Sequence, residues 1–408
     1  MKKPKRKRMT SKRKRLTFVQ RTIKKKEFTF GLLALILSSI VLAAFILSMG
    51  DSSADGDSSA NGSGPQQLAK PPSTGPVQIS DGKLMVNGQP FFVKGVAYGP
   101  TPIGYSYAYN FIADSGIYNR DFPLLRAMHC NVIRTWTKIT STGFLDAAYN
   151  NGVDPIYVIM GFYIEPYNVS NPTYRVAIVN EFREYVRTYK DHPAVLMWAP
   201  GNEIDYEINK IWPDNENRIK DWYTLLNELA KTAYEVEGNA YHPVITSNWE
   251  IIFIGEPSVG SDDNSMSFLD AWGATSFRGR SFEGLFHYYS GKSSKPLLIT
   301  EFGIDAWDTV NQAEDEATQA DYAAALWDEI VEASDVALGG CVMGYSDVWW
   351  MAGDASSHDY GGDEMPSFPD GYNNQEWWGI VRVTDNGTGP DIVEPRTIYY
   401  TLQQKWAE

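Results

Sequence analysis

The sequence predicts an α/β fold of the (β/α)8-barrel type, and three observations carry that expectation. Eight short apolar runs of strand length recur at 91–98, 131–136, 154–161, 194–200, 243–248, 271–276, 296–300 and 337–345. Longer amphipathic stretches lie between them. In 173–190, for example, Val176, Val179, Phe182, Val186 and Tyr189 return at three- and four-residue spacing, the period of one helix face. The first run leads into GVAYGPTPIG, which is not the glycine-rich phosphate turn that an open doubly wound sheet usually shows there. Repeating β-then-α units of this size argue for a closed parallel barrel.

The elements follow in order. Residues 1–27 form a basic segment, in which the first 26 residues carry 14 Lys and Arg. Residues 28–49 read FTFGLLALILSSIVLAAFILSM, 22 positions without a charge. At about 1.5 Å per residue such a helix spans roughly 30 Å of hydrocarbon. It is longer than the roughly 7–15 apolar residues of a cleaved secretory signal. A retained signal-anchor is therefore expected, with the basic end cytoplasmic and the rest of the chain outside the membrane. Residues 50–76 are dominated by Ser, Gly, Asp and Pro and predict a flexible linker. The folded domain, 77–408, is expected to open on a small hairpin, because LMVNGQPFFVKG places an Asn-Gly turn between two apolar runs. Further helices are expected at 221–236, 319–332 and 395–406.

Charge narrows the partners. Beyond residue 50, 22 Lys and Arg face 49 Asp and Glu, a net of −27. Such a surface repels nucleic acid and polyanionic glycans, and the basic N-terminus would lie at lipid headgroups if the anchor inserts. The aromatic content is high, with 13 Trp and 24 Tyr, and aromatic faces serve both cores and sugar sites. Cys130 and Cys341 fall in apolar contexts on separate strands and are expected to be buried free thiols. The five histidines are scattered and no HExxH, CxxC, P-loop or G-x-S-x-G spacing occurs, so neither a metal nor a cofactor is expected.

In a barrel, catalytic side chains stand at the C-terminal ends of strands. Strand four ends in WAPGNE at Glu203, and strand seven in ITEFG at Glu301. Strands four and seven face one another across an eight-stranded ring, which sets two carboxyls over the mouth. Cleaving a glycosidic bond needs one carboxyl protonated and a second ionised. Tyr98, Trp136, Tyr163 and Trp249 also end strands and are candidate sugar platforms. Glu165 and Glu250 occupy similar positions as candidate acceptors for sugar hydroxyls.

WAPGNE and ITEFG resemble the acid/base and nucleophile motifs of the retaining clan A glycoside hydrolases. The opening PFFVKGVAYGP, with IYNRDFPLLRAMHCNVIRTW, most resembles the β-1,3-glucanosyltransferases of family 72 and the barrels of families 2 and 5. The resemblance implies Glu203 as acid/base, Glu301 as nucleophile, Asn202 on the sugar 2-hydroxyl and Arg134 holding Glu301 ionised. It also implies an aromatic floor from Trp349 or Trp350 after strand eight. The expected partner is a β-linked oligo- or polysaccharide, with glucan the leading class. One departure stands out: strand six reads TSFRGRSF, so Phe277 lies where relatives often carry a tyrosine that supports the nucleophile, and Tyr345 is the candidate replacement. The rival reading is a catalytically silent barrel that binds cell-surface glycan.

Overall fold

The computed structural model describes residues 70–387 and 389–407. The basic segment 1–27, the expected anchor 28–49 and most of the 50–76 linker lie outside the described residues. Among the described residues no helix is long and apolar enough to cross a membrane.

Residues ahead of Val77, the expected start of the folded domain, already pack against it from Lys70 onward. The Lys70 ammonium donates to Asp270 at 2.8 and 3.0 Å and to the Phe268 carbonyl at 3.0 Å. It also sits 3.9 Å from the centre of the Tyr241 ring. Ser73 donates to the Tyr241 carbonyl at 2.6 Å. The last part of the expected linker is therefore docked. The composition of 70–76 conceals this because every partner lies far along the chain.

A three-stranded antiparallel sheet follows, Val77–Ser80, Lys83–Val86 and Gln89–Pro90. Its tight turns are Asp81-Gly82 and Asn87-Gly88, all four residues with positive φ. That backbone matches the twist of paired strands and favours Asn, Asp and Gly. Val77, Leu84 and Val86 pack against Val132, Ile159, Met197, Ile245, Leu298 and Leu338, residues drawn from around the barrel, so this sheet closes one end of its interior.

We number the barrel strands β1 (Val93–Ala97), β2 (Val132–Arg134), β3 (Tyr157–Phe162), β4 (Val195–Pro200), β5 (Asn248–Trp249), β6 (Trp272–Thr275), β7 (Leu297–Phe302) and β8 (Ala337–Val342). All adjacent pairs are parallel, and the order β4-β3-β2-β1-β8-β7-β6-β5 is that of a TIM-barrel-like curled sheet. Parallel bridges Trp198 to Val244 and Asn202 to Ser247 join β4 to the run before β5. Every expected strand is present, but β5 is reduced from 243–248 to Asn248–Trp249. Pro243 has no N–H to give, and the Val244 amide donates instead to the Asp270 carboxylate at 2.8 Å.

The helices are α1 (Ser115–Ala127), α2 (Thr142–Tyr149), α3 (Pro172–Tyr189), α4 (Ile204–Ile211), α5 (Glu216–Glu237), α6 (Leu285–Ser290), α7 (Glu316–Glu332) and α8 (Thr397–Trp406). In α5, Ile219, Trp222, Tyr223, Leu226, Ala230 and Ala233 form the buried stripe. Asn215 caps its start by accepting from the Arg218 amide, and Gly238 (φ 69°) ends it. Eight regular β-then-α units are not what is found. β4 is followed by two helices, whereas β5 is followed only by a short 3-10 turn, Pro257–Val259. Gly255 and Gly260, both at positive φ, flank that turn and prevent a longer helix.

Candidate active site

β4 ends at Pro200, and the next three residues turn sharply out of the strand. Gly201 has φ 81°, and a Cβ there would stand 2.5 Å from the Trp222 ring. Glu203 itself is left-handed (φ 50°, ψ 31°) at the start of α4, a conformation that costs roughly 1–3 kcal/mol outside glycine. Its amide donates to the Ser247 carbonyl at 2.7 Å, which holds the strained backbone in place. Strain of this kind is tolerated where surrounding structure fixes a side chain for use.

The Glu203 carboxyl accepts from the Thr275 hydroxyl, at the end of β6, at 2.6 Å. Burial raises its pKa first, the Glu301 charge second, and together they lift it from 4.5 to about 8. The Thr275 hydrogen bond and the Arg134 charge oppose the rise without cancelling it. Glu203 therefore carries a proton at neutral pH. The Thr275 hydroxyl also lies 3.4 Å from the Asn248 carbonyl. Its single proton can turn there when Glu203 is protonated and to Glu203 when it is ionised.

Glu301, on β7, is buried at 4 % exposure. Its Oε1 accepts from Arg134 Nη1 at 2.6 Å and from the Trp136 indole N–H at 2.8 Å. Arg134, the last residue of β2, is itself buried, and its Nη2 donates to Asn202 Oδ1. One guanidinium thus ties β2 to the ends of both β4 and β7. With Asn202 Oδ1 occupied, its Nδ2 has no partner among the described residues and can donate elsewhere. The protonated carboxyl at Glu203 and the arginine-paired one at Glu301 are the two states that glycosidic cleavage requires.

The remaining expected residues fall into three groups. Trp136 and Trp249 are half-buried near this pair; Trp249 stacks on Tyr206 at 5.0 Å, and its amide donates to the buried Asp205 at 3.1 Å. Burial pushes Asp205 up to about 7. Tyr163 is exposed and donates to Glu165 at 3.2 Å. Trp349 and Trp350 are half-buried in the loop after β8. Trp349 lies against His358 at 4.6 Å, and His358 against Trp377 at 3.7 Å, so three rings stack in one column.

Three expectations need correction. Tyr98 is fully buried and donates to Asp121 at 2.9 Å, so it offers no face to a ligand. Tyr345 packs on Tyr98 at 5.4 Å, and the donors found at Glu301 are Arg134 and Trp136 instead. Glu250 is occupied by Ser276 at 2.8 Å and by Arg278 at 2.5–3.1 Å, which leaves it little capacity for a sugar hydroxyl. Thr275 and Asp205 went unnoticed in the sequence. Strand-end position was the available signal for Thr275, but a hydroxyl carries no charge to attract attention. Phe277 packs edge-on against Trp378 at 5.0 Å and donates nothing. Cys130 and Cys341 are buried and unpaired. Among the described residues no group of three or more His, Cys, Asp or Glu is placed to hold a metal ion.

A family model described as Glucanosyltransferase, of glycoside hydrolase family 72, matches residues 67–217, a stretch that holds Arg134, Trp136, Asn202 and Glu203 but ends before Glu301. No curated protein sequence matches. The fold is shared with solved family 2 glycosidases. A β-galacturonidase from Eisenbergiella tayi bound to galacturonate aligns at TM-score 0.57 with 16% identity, covering 82% of this chain and 54% of that one. A Bacteroides uniformis β-glucuronidase aligns at 0.57 with 16% identity over 81% of this chain and 37% of its own. The Bifidobacterium dentium β-glucuronidase complexed with coumarin-3-O-glucuronide aligns at 0.56 with 18% identity, over 82% and 49%. This chain thus spans about half or less of each of these three structures.

Proposed function

We propose that the chain is a retaining glycosidase or transglycosidase acting on a β-linked polysaccharide, with a β-glucan as the leading substrate class. The observation that carries this reading is the divergence of two neighbouring carboxyls, Glu203 raised to about 8 and Glu301 bound by Arg134 and Trp136. The family-72 likeness of residues 67–217 supports the substrate class. The net −27 beyond residue 50 favours a neutral polymer over the uronates named for the structural neighbours.

In this mechanism Glu203 gives its proton to the departing glycosidic oxygen while Glu301 bonds to the anomeric carbon, and the aglycone leaves as an alcohol. Glu203, now ionised, takes a proton from water or from a sugar hydroxyl. That oxygen attacks the anomeric carbon and releases Glu301. Asn202 Nδ2 is free to donate to the 2-hydroxyl oxygen, an interaction that strengthens in the transition state. Trp249, Trp349 and Trp350 are the aromatic surfaces proposed for sugar rings. The apolar stretch 28–49 is proposed to anchor the chain with its catalytic domain outside the membrane. Protease shaving of intact cells should release that domain.

The test of activity is product analysis of the full chain on β-glucan and β-mannan oligosaccharides, beside Glu203→Gln and Glu301→Gln. Products made by the wild type and lost in both variants support the two-carboxylate reading. Products longer than the substrate mark transfer, and shorter ones alone mark hydrolysis. Equal inertness of all three proteins, with equal glycan binding, would sink catalysis in favour of a binding barrel.

A further inference from the structure

We infer that Trp136 is a positioning residue for Glu301: its indole N–H holds Oε1 beside Arg134 and leaves Oε2 as the attacking oxygen. The inference rests on the proposed role of Glu301 and deepens it. Both donors at Glu301 converge on one atom, Oε1, at 2.6 Å from Arg134 and 2.8 Å from Trp136. Oε2 has no partner among the described residues. A carboxylate so held cannot rotate without breaking two charge-assisted bonds, and only its free oxygen can reach an anomeric carbon.

The ring is itself fixed. A Cβ on Gly99 would stand 2.9 Å from Trp136 Cζ3, so a side-chain-free backbone position meets the indole there. A Cβ on Gly161 would come 2.9 Å from the Trp136 backbone carbonyl carbon, so β3 passes equally close. The Arg134 guanidinium lies 5.5 Å from the ring centre. The nearest alternatives supply no donor: Phe277 has none to give and lies against Trp378, and Tyr345 lies against Tyr98. An indole N–H also differs from a tyrosine hydroxyl in chemistry. It donates and cannot accept, so it favours ionised Glu301 and never competes for a proton.

A sugar platform would use the ring face, whereas positioning uses the N–H, and one substitution separates the two. Replacing Trp136 with β-(3-benzothienyl)alanine keeps shape and face and puts sulfur where the N–H was. If Trp136 positions Glu301, kcat falls on the order of 10- to 100-fold, the scale of one hydrogen bond to a charged group. KM moves far less. Unchanged kcat, or a change confined to KM, overturns the inference and makes Trp136 a platform or a packing residue.

A second readout needs no turnover and separates this idea from the catalytic reading. In ¹⁵N-Trp-labelled full chain, the Trp136 Nε1–H resonance, identified by its loss in Trp136→Phe, should move upfield in Glu301→Gln. A resonance indifferent to Glu301 would refute the contact whether or not the protein is an enzyme. A resonance that moves, in a protein that turns over no glycan, would uphold the contact while the catalytic reading failed.

Discussion

Replacing Glu203 with Gln should make the protein more stable than wild type, by an amount that grows with pH. The unfolded carboxyl ionises above its ordinary 4.5, whereas the folded one keeps its proton until about 8. Between those values unfolding releases a proton, so the stability contributed by the neutral carboxyl is full below 4.5 and is lost as pH rises through 8. Gln has no proton to lose. At about 1.4 kcal/mol per pH unit, the difference reaches about 3 kcal/mol by pH 7. For a domain of this size, with roughly 2 cal/mol/K of unfolding entropy per residue, that corresponds to roughly 4 °C in Tm. Asp205, Asp305 and Glu376, each raised to about 7 by burial, bend both curves alike and cancel in the comparison. The assay is thermal unfolding of both proteins at several pH values from 4.5 to 8. A Tm gap that stays constant or narrows over that range would refute the claim that the fold holds Glu203 as a neutral acid.

Three further outcomes follow from the same contacts. Arg134→Met strands the buried Glu301 charge, so it should lose roughly 3–5 kcal/mol of stability in denaturant titration, with turnover falling on the order of 100-fold or more. Thr275→Val removes the hydroxyl that favours ionised Glu203, so its pKa rises beyond about 8 and the basic limb of kcat/KM moves upward; a downward or absent shift would contradict the assignment. Lys70→Met leaves Asp270 buried without its cation and should lower Tm measurably, an effect that an unstructured linker would not produce.

The barrel was legible because its signal is repetitive. Eight apolar runs set the strands, and both glutamates follow from the rule that strand ends carry chemistry. What escaped depended on contacts distant in sequence. Lys70 is docked by Asp270 and Tyr241, and the composition of its neighbours says only linker. The segment after β5 carries no helical period, and Gly255, Pro257 and Gly260 leave room only for a short 3-10 turn. Tyr98 and Tyr345 end strands as a platform would, yet they turn toward Asp121 and the core, and strand-end position alone does not reveal that orientation. Trp136 was read for its ring face when the geometry uses its N–H. Glu250 looked available because its partners Ser276 and Arg278 lie on the next strand and loop.

The central claim is that Glu301 forms a covalent bond to the sugar. The direct measurement is peptide mass spectrometry after exposure to the activated 2-deoxy-2-fluoro derivative of whichever sugar the product assay identifies. The account predicts one fluoroglycosyl group on the peptide that contains Glu301 and none in Glu301→Gln. Turnover with inverted anomeric configuration and no adduct, or an adduct on a different carboxylate, would contradict it.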